Sequence, residues 1–356
     1  MPPIAMTSTS ADTAESPDSV RAAFEIVERS PLQRLQHFLH AYPTTVPFIV
    51  LVLGVLGFSL LVGGRFFHPF NLSLILQQVT IIAILGMAQT LIILTAGIDL
   101  SVGAIMVLSS VVMGRLAVLA GLPVELAFAL GLLTGVGCGL LNGALVAFLK
   151  LPPFIVTLGT WSIFGALNLW YSASQTIRQQ DVEAAASFLQ LTGTAIQFGG
   201  ARLTLGSILM LLLALLLWYV LNRTAFGRHV HATGDNPEAA RLAGIHTRRT
   251  LLAVYTSAGL ICSFAGWVLI GRIGAISAIS GANANLDSIT AVVIGGTSLF
   301  GGRGSIVGTL VGALIVGVFR NGLALAGADA LWQEFAIGAL IIVAVTIDQW
   351  IRKVSA

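Results

Sequence analysis

"LSLILQQVTIIAILGMAQTLIILTA" runs from Leu72 to Ala96 without one Asp, Glu, Lys or Arg. A helix needs ~20 mostly apolar residues to cross the ~30 Å hydrocarbon core of a bilayer, and this stretch is longer than that. It reads as a membrane span. The rest of the chain follows the same pattern: of its 356 residues 56% are hydrophobic and only 9% charged, far from the roughly one-quarter charged content of soluble domains. The expected fold class is therefore all-α, a polytopic membrane protein with about ten transmembrane helices.

The spans read from hydropathy are Pro47–Gly63, Leu72–Ala96, Leu100–Ala120, Val124–Leu149, Phe154–Ser172, Thr204–Leu221, Thr250–Ile270, Leu286–Phe300, Ser305–Ala326 and Leu331–Trp350. The eighth is short enough to be a broken or buried helix. Lys and Arg concentrate in cytoplasmic loops of membrane proteins. An N-terminus on the cytoplasmic side places Arg34, Lys150, Arg223, Arg228, Arg241, Arg248, Arg249, Arg303 and Arg352 inside and leaves Arg65, Arg178, Arg202 and Arg272 outside. Both termini are then cytoplasmic. The resulting organisation is a polar tail with an interfacial helix (1–45), a membrane domain (46–350) and a short C-terminal tail (351–356). Within the membrane domain lie an external loop (175–203) and a cytoplasmic loop (222–249). Asp181 is the expected cap of a short helix in the external loop.

Several function classes drop out. The excess of 18 Lys and Arg over 15 Asp and Glu matches topology signals in so apolar a chain better than a nucleic-acid surface. Cys138 and Cys262 lie inside apolar helices without metal-ligand spacing and read as small packing residues. "GVGCG" and "GTSLFGGRGS" look superficially like phosphate loops, but Lys150 and Lys353 are the only lysines and neither completes a nucleotide-binding motif. Nothing resembles a catalytic acid pair or a nucleophile with its base, so the chain reads as a non-enzyme with no metal site and no cofactor of its own. The glycines instead recur every fourth residue: Gly131, Gly135, Gly139 and Gly143, then Gly304, Gly308 and Gly312. In lipid, such stripes let helix backbones touch.

One polar island interrupts the apolar pattern. In "ATGDNPEAARLAGIHTRR", Ala232 to Arg249, Asn236 reads as an N-cap, Pro237 as the first helical residue and Gly244 as the left-handed stop. The rod between them is about seven residues, ~10 Å long. Helices under ~12 residues are marginal in water, so it needs a surface to rest on. From the residues alone this is either a loop helix lying on its own protein or an element that docks against a partner.

Four segments in order carry a family resemblance: "TAGIDLSVGAIM" (Thr95–Met106), "GLLNGALVAFLKLPPFIVTLGT" (Gly139–Thr160), "NRTAFGRHVHATGDNPEAARLAGI" (Asn222–Ile245) and "VVIGGTSLFGGRGSIVGTLVGALIVG" (Val292–Gly317). The chain from Pro47 onward resembles the permease subunits of bacterial monosaccharide ABC importers of the ribose type, with a weaker likeness to fructose-transporting members. The resemblance implies a cytoplasmic ATP-binding subunit that holds ATP and Mg, a periplasmic sugar-binding protein and a second permease copy, in the inner membrane. It also implies that Gly234, Asp235, Asn236, Pro237, Glu238, Ala239, Ala240, Arg241, Leu242, Ala243 and Gly244 form the coupling helix that seats in the ATPase.

Ionisable groups inside a membrane are functional candidates because each costs about 2.5–3.5 kcal/mol on insertion scales. Asp99, near the inner face, either caps the third span with Ser101 or touches substrate. Arg320, Asn321 and Glu334 either pair with one another or meet a sugar. Gln77, Gln78, Gln89, Asn142 and Asn168 add uncharged hydrogen-bonding groups suited to sugar hydroxyls. Other cargo for the same architecture includes nucleosides, autoinducer-like furanosyl compounds and branched-chain amino acids. An ion-coupled secondary transporter is the reading from another class, although midplane carboxylates, its usual marker, are missing.

Overall fold

The computed structural model describes residues 45–281 and 283–352. The expected interfacial helix in the N-terminal tail and most of the C-terminal tail lie outside these residues. Among the described residues, eight helices are long and apolar enough to cross a membrane, and two shorter apolar helices join them. In chain order the helices are α1 (Thr45–Val62), α2 (Pro69–Leu94), α3 (Val102–Gly114), α4 (Val124–Ala147) and α5 (Pro153–Ser172). Then come α6 (Gln179–Ala186), α7 (Leu205–Arg223), α8 (Ala225–Asp235), α9 (Pro237–Leu242) and α10 (Thr247–Ile273). The last three are α11 (Ala284–Ile294), α12 (Ile306–Leu325) and α13 (Ala330–Arg352). Helix ends follow local chemistry. Pro69, Pro153 and Pro237 open their helices where a missing N–H costs nothing, and Thr204 and Ser305 cap theirs through Oγ atoms that accept from Ser207 and Gly308.

The centre of the bundle is α2. Every residue from Val79 to Leu94 is buried, because α3, α7, α10, α11 and α12 all pack around it. A helix apolar on all sides is stable only when so enclosed. The tightest contact elsewhere is between α4 and α10, where the first glycine stripe works as expected. A β-carbon on Gly135 would strike the Gly259 carbonyl and Ser263 Oγ, and one on Gly139 would strike the Tyr255 carbonyl. Only glycine lets these backbones meet. Cys138 and Cys262 are buried in the same pair of helices.

Three expectations need correction. The eighth span is shorter than read: α11 has 11 residues, roughly 16 Å at ~1.5 Å per residue, so Gly295 to Phe300 form turns. Gly304 also stands outside a helix, while Gly308 and Gly312 press α12 against the backbone of Gly295 and Ala291. Asp181 lies within the first turn of α6, whose N-cap is Arg178. The external loop holding α6 contains further regular structure. A turn of 3-10 helix (Ser187–Gly193) and an antiparallel hairpin, β1 (Ala195–Phe198) with β2 (Ala201–Thr204), cover one end of the bundle, and Ile177 bridges to Ile276. Phe128, Phe188 and Trp267 cluster with ring centroids 4.8–5.5 Å apart, Phe188 and Trp267 stacked and Phe128 edge-on to both.

Arg115 opens a short π-helical turn, Arg115–Leu119, that ends α3. Its guanidinium donates to the Ser172 carbonyl (2.8 Å) and lies over the Tyr171 ring, so the charge is met at the end of the bundle rather than in its interior.

Candidate functional site

The polar island is two helices set at a corner. Thr224 caps α8, which the sequence reading missed because its start, Ala225 to Gly227, follows the last residue of α7 with one residue between. The caps of α9 are as expected: Asn236 Oδ1 accepts from the N–H groups of Glu238 (3.1 Å) and Ala239 (2.9 Å). At the other end Gly244 takes φ +86°, its N–H donates to the Arg241 carbonyl (3.0 Å) and that of Ile245 to the Ala240 carbonyl (3.0 Å). That is the paired closure of a Schellman stop. Pro237 to Leu242 make a six-residue rod, a little shorter than expected. Gly234 and Asp235, which the resemblance groups with the coupling helix, belong to the end of α8.

The island rests on its own bundle through one face only. Ala240 is buried, whereas Pro237, Glu238, Ala239, Arg241 and Ala243 are exposed and Leu242 is 86% exposed. Beneath the corner the packing is close. A β-carbon on Gly234 would strike the Leu94 carbonyl, the Gly302 N–H donates to that same carbonyl (3.0 Å), and His231 Nδ1 lies 3.0 Å from the Gly302 carbonyl. Three segments thus meet at one joint: the end of α8, the end of α2 and the loop between α11 and α12.

Five residues beyond Leu94 along the chain, three of the sequence-nominated polar groups come together. Asp99 is buried, and its Oδ1 accepts from both the N–H and the Oγ of Ser101 (2.6 Å each). Asn142 Nδ2 donates to Ser101 Oγ (2.9 Å) and, more distantly, to Asp99 Oδ2 (3.4 Å). The Gln89 amide spans the Asp99 backbone, donating to its carbonyl and accepting from its N–H (3.1 Å each). Thr157 Oγ1 reaches the Ile98 carbonyl (3.1 Å) from α5. Asp99 does not cap α3 directly: Ser101 is its N-cap without a side-chain cap bond, and the carboxylate holds Ser101 itself. Asn142 Oδ1 and Tyr255 Oη make no hydrogen bond with a described residue.

The remaining candidates lie elsewhere. Arg320 pairs with Glu334 (3.2 Å) as one expectation had it, and also with Asp287 (2.9 Å), which the sequence reading passed over. Asp287 sits in the first turn of α11, inside the span read from Leu286. Asn321 donates to Asn71 Oδ1 (2.9 Å) and Asn168 to the Ala278 carbonyl (2.7 Å). Gln77 lines a cavity of about 160 Å³ with Thr80, Thr192, Arg202 and Arg272, at the end of the bundle covered by the hairpin. Gln78 is close in sequence only; its Oε1 is buried with no partner among the described residues. The nominated residues therefore form one buried cluster, one ion triad and several separate contacts.

Comparison with known proteins decides the family. The family model described as "Branched-chain amino acid transport system / permease component" matches residues 71–345. The chain belongs to this permease family. It is 60% identical over 335 residues to the fructose import permease protein FrcC of Rhizobium meliloti, covering 94% of this chain and 93% of the relative. It is 38% identical to the ribose import permease protein RbsC of Bacillus subtilis (91% and 97% covered) and 34% identical to the D-allose transport system permease protein AlsC of Escherichia coli (94% and 99% covered). No solved structure matches. The permease is thus a multi-pass membrane protein, and its four resemblance segments lie within the matched region.

Proposed function

We propose that this permease is the membrane-spanning subunit of a binding-protein-dependent ABC importer for a monosaccharide, with fructose the first candidate. The observation that carries the reading is the near-full-length relationship at 60% identity to a fructose import permease, with further relatives named for ribose and allose. In this reading a cytoplasmic ATP-binding subunit holds ATP and Mg, a periplasmic protein delivers the sugar, a second permease copy completes the path, and both termini face the cytoplasm of a bacterial inner membrane. Residues 234–244 supply the docking element.

The geometry suits that role. Leu242 and Ala239 offer an exposed apolar face to a partner's groove, and the caps at both ends keep the rod from fraying. Movement of the rod would reach Leu94 through Gly234, and from there the loop that carries Asp99. The cluster of Gln89, Asp99, Ser101 and Asn142 would hold that loop in one state and exchange partners in another, a two-state element biased by nucleotide and loaded binding protein.

The test is reconstitution of the permease with its genome-encoded ATPase and binding protein in proteoliposomes. Fructose uptake that requires ATP on the ATPase side and stops without the binding protein is the expected result. Uptake driven by a proton or sodium gradient without the ATPase would overturn the reading in favour of a secondary transporter.

A further inference from the structure

Behind the coupling segment lies a cavity of about 520 Å³, bounded by the end of α4 and the turn after it, by one side of α9 and by the first turn of α10. Its lining is divided by chemistry. Lys150, Arg241, Arg248 and Arg249 bring four cations to it against one carboxylate, Glu238, and none of the four makes an ion pair with a described residue. Apolar side chains line it beside the cations: Val146 and Phe148 on the segment of Lys150, and Leu251 on that of Arg248 and Arg249. Phe148 is half exposed, and beside it Leu149, Phe154 and Ile155 are exposed on the outer surface of the bundle. The apolar lining thus continues onto the surface that faces acyl chains.

A free soluble anion would be matched by the cations and left unmatched by Phe148 and Leu251. A partner protein meeting the rod would touch Ala239, Leu242 and Ala243, which are exposed but take no part in the cavity. A molecule with an anionic phosphate at one end and hydrocarbon at the other satisfies both halves at once. Basic pockets at the membrane boundary bind such headgroups, each nearby Lys or Arg adding to the attraction, while the stems of these side chains cover apolar surface.

We propose that this cavity is a binding site for an anionic phospholipid, whose phosphate meets Arg248, Arg249 and Lys150 and whose acyl chains run over Phe148 onto the outside of α4 and α5. The lipid wedges between the rod and the α4–α5 turn, and so makes the position of α9 dependent on membrane composition. The site is independent of which solute the permease carries.

The test uses the full-length permease in nanodiscs of phosphatidylcholine and phosphatidylglycerol at equal mole fraction, released for native mass spectrometry. Phosphatidylglycerol enriched among retained lipids is expected for the wild type. The Arg248→Gln, Arg249→Gln double variant should lose that enrichment by about tenfold or more, given the contribution of each cation. Arg248→Lys should keep it. Lys150→Gln, at the other end of the cavity, provides a second reading if the double variant fails to fold, and should lower the enrichment several-fold. Equal retention of both lipids by wild type would overturn the proposal. So would protection of the cavity by inorganic phosphate alone with no lipid preference, or loss of ATPase co-purification by the double variant with lipid enrichment unchanged.

Discussion

Gly234 rests on the carbonyl group of Leu94, so closely that a β-carbon there would collide with backbone rather than with a movable side chain. The contact ties the last turn of α8 to the last residue of α2, a helix enclosed on all sides from Val79 onward. Overpacking of a close contact costs about 1–3 kcal/mol, and here neither partner can yield by rotating. Gly234→Val should therefore reduce uptake several-fold or more in reconstituted vesicles, with insertion into the membrane preserved. Uptake at the wild-type level would mean that the joint does not transmit motion.

The two ends of α9 differ in what they tolerate. Asn236→Ala removes the acceptor for two N–H groups, a loss of ~1 kcal/mol, and should lower uptake partially, whereas Asn236→Asp or Asn236→Ser should retain most of it. Gly244 has φ +86° and open space around it. Gly244→Val should be impaired through backbone conformation alone, at about 1–2 kcal/mol, and Gly244→Asn should recover activity. Initial uptake rates of the five variants at matched protein levels are the measurement.

The buried cluster makes a prediction about stability. Asp99→Ala leaves the Ser101 hydroxyl and N–H without their acceptor and removes the longer of the two Asn142 contacts, and an unsatisfied buried group costs about 1–3 kcal/mol. Asn142→Ala removes one donor whose own Oδ1 already lacks a partner, so its effect should be smaller. Thermal unfolding in detergent should rank wild type above Asn142→Ala and both above Asp99→Ala. The reverse order of the two variants would show that the carboxylate does not organise the loop.

In the ion triad, exposure separates the partners. The Glu334 side chain is 47% exposed and that of Asp287 12%. An exposed pair contributes about 0–1 kcal/mol, so Glu334→Ala should be nearly silent in a thermal unfolding assay. Arg320→Ala leaves the Asp287 carboxylate buried and uncompensated, a change that costs about 3–5 kcal/mol when burial is complete and less with the partial exposure here. Adding Asp287→Asn to Arg320→Ala should recover part of the loss. A double variant no better than the single would remove Asp287 from the account.

Most of the fold was legible because hydropathy over long segments leaves little choice in a membrane. Leu72–Ala96 lies within a few residues of α2, and the glycine stripe at 131–143 makes the close helix contacts its spacing implied, Gly131 with α3 and Gly135, Gly139 and Gly143 with α10. The island's caps were legible too, since Asn, Pro and Gly at those positions each have a specific backbone reason. What failed was the short and the irregular. α8 is amphipathic and directly follows a span, so hydropathy gave it no boundary. α11 was lengthened into the glycines after Ile294 because Leu299 and Phe300 keep that stretch apolar. The hairpin at 195–204 has two short strands that carry no long-range periodicity. For the site, residue type nominated Gln89, Asp99 and Asn142 separately. Their meeting depends on how the turn after Leu94 folds back between α4 and α5, and no spacing rule in one sequence encodes that.

The two native thiols have a practical consequence. Cys138 and Cys262 are the only cysteines in the chain, and both are enclosed between α4 and α10. Reporter groups that react with sulfhydryls will therefore pass over the unaltered polypeptide. A single cysteine introduced at Leu242, on the open side of the rod, can carry a spin label or fluorophore without prior removal of the natural ones, so distances across a paired assembly can be followed through a working cycle.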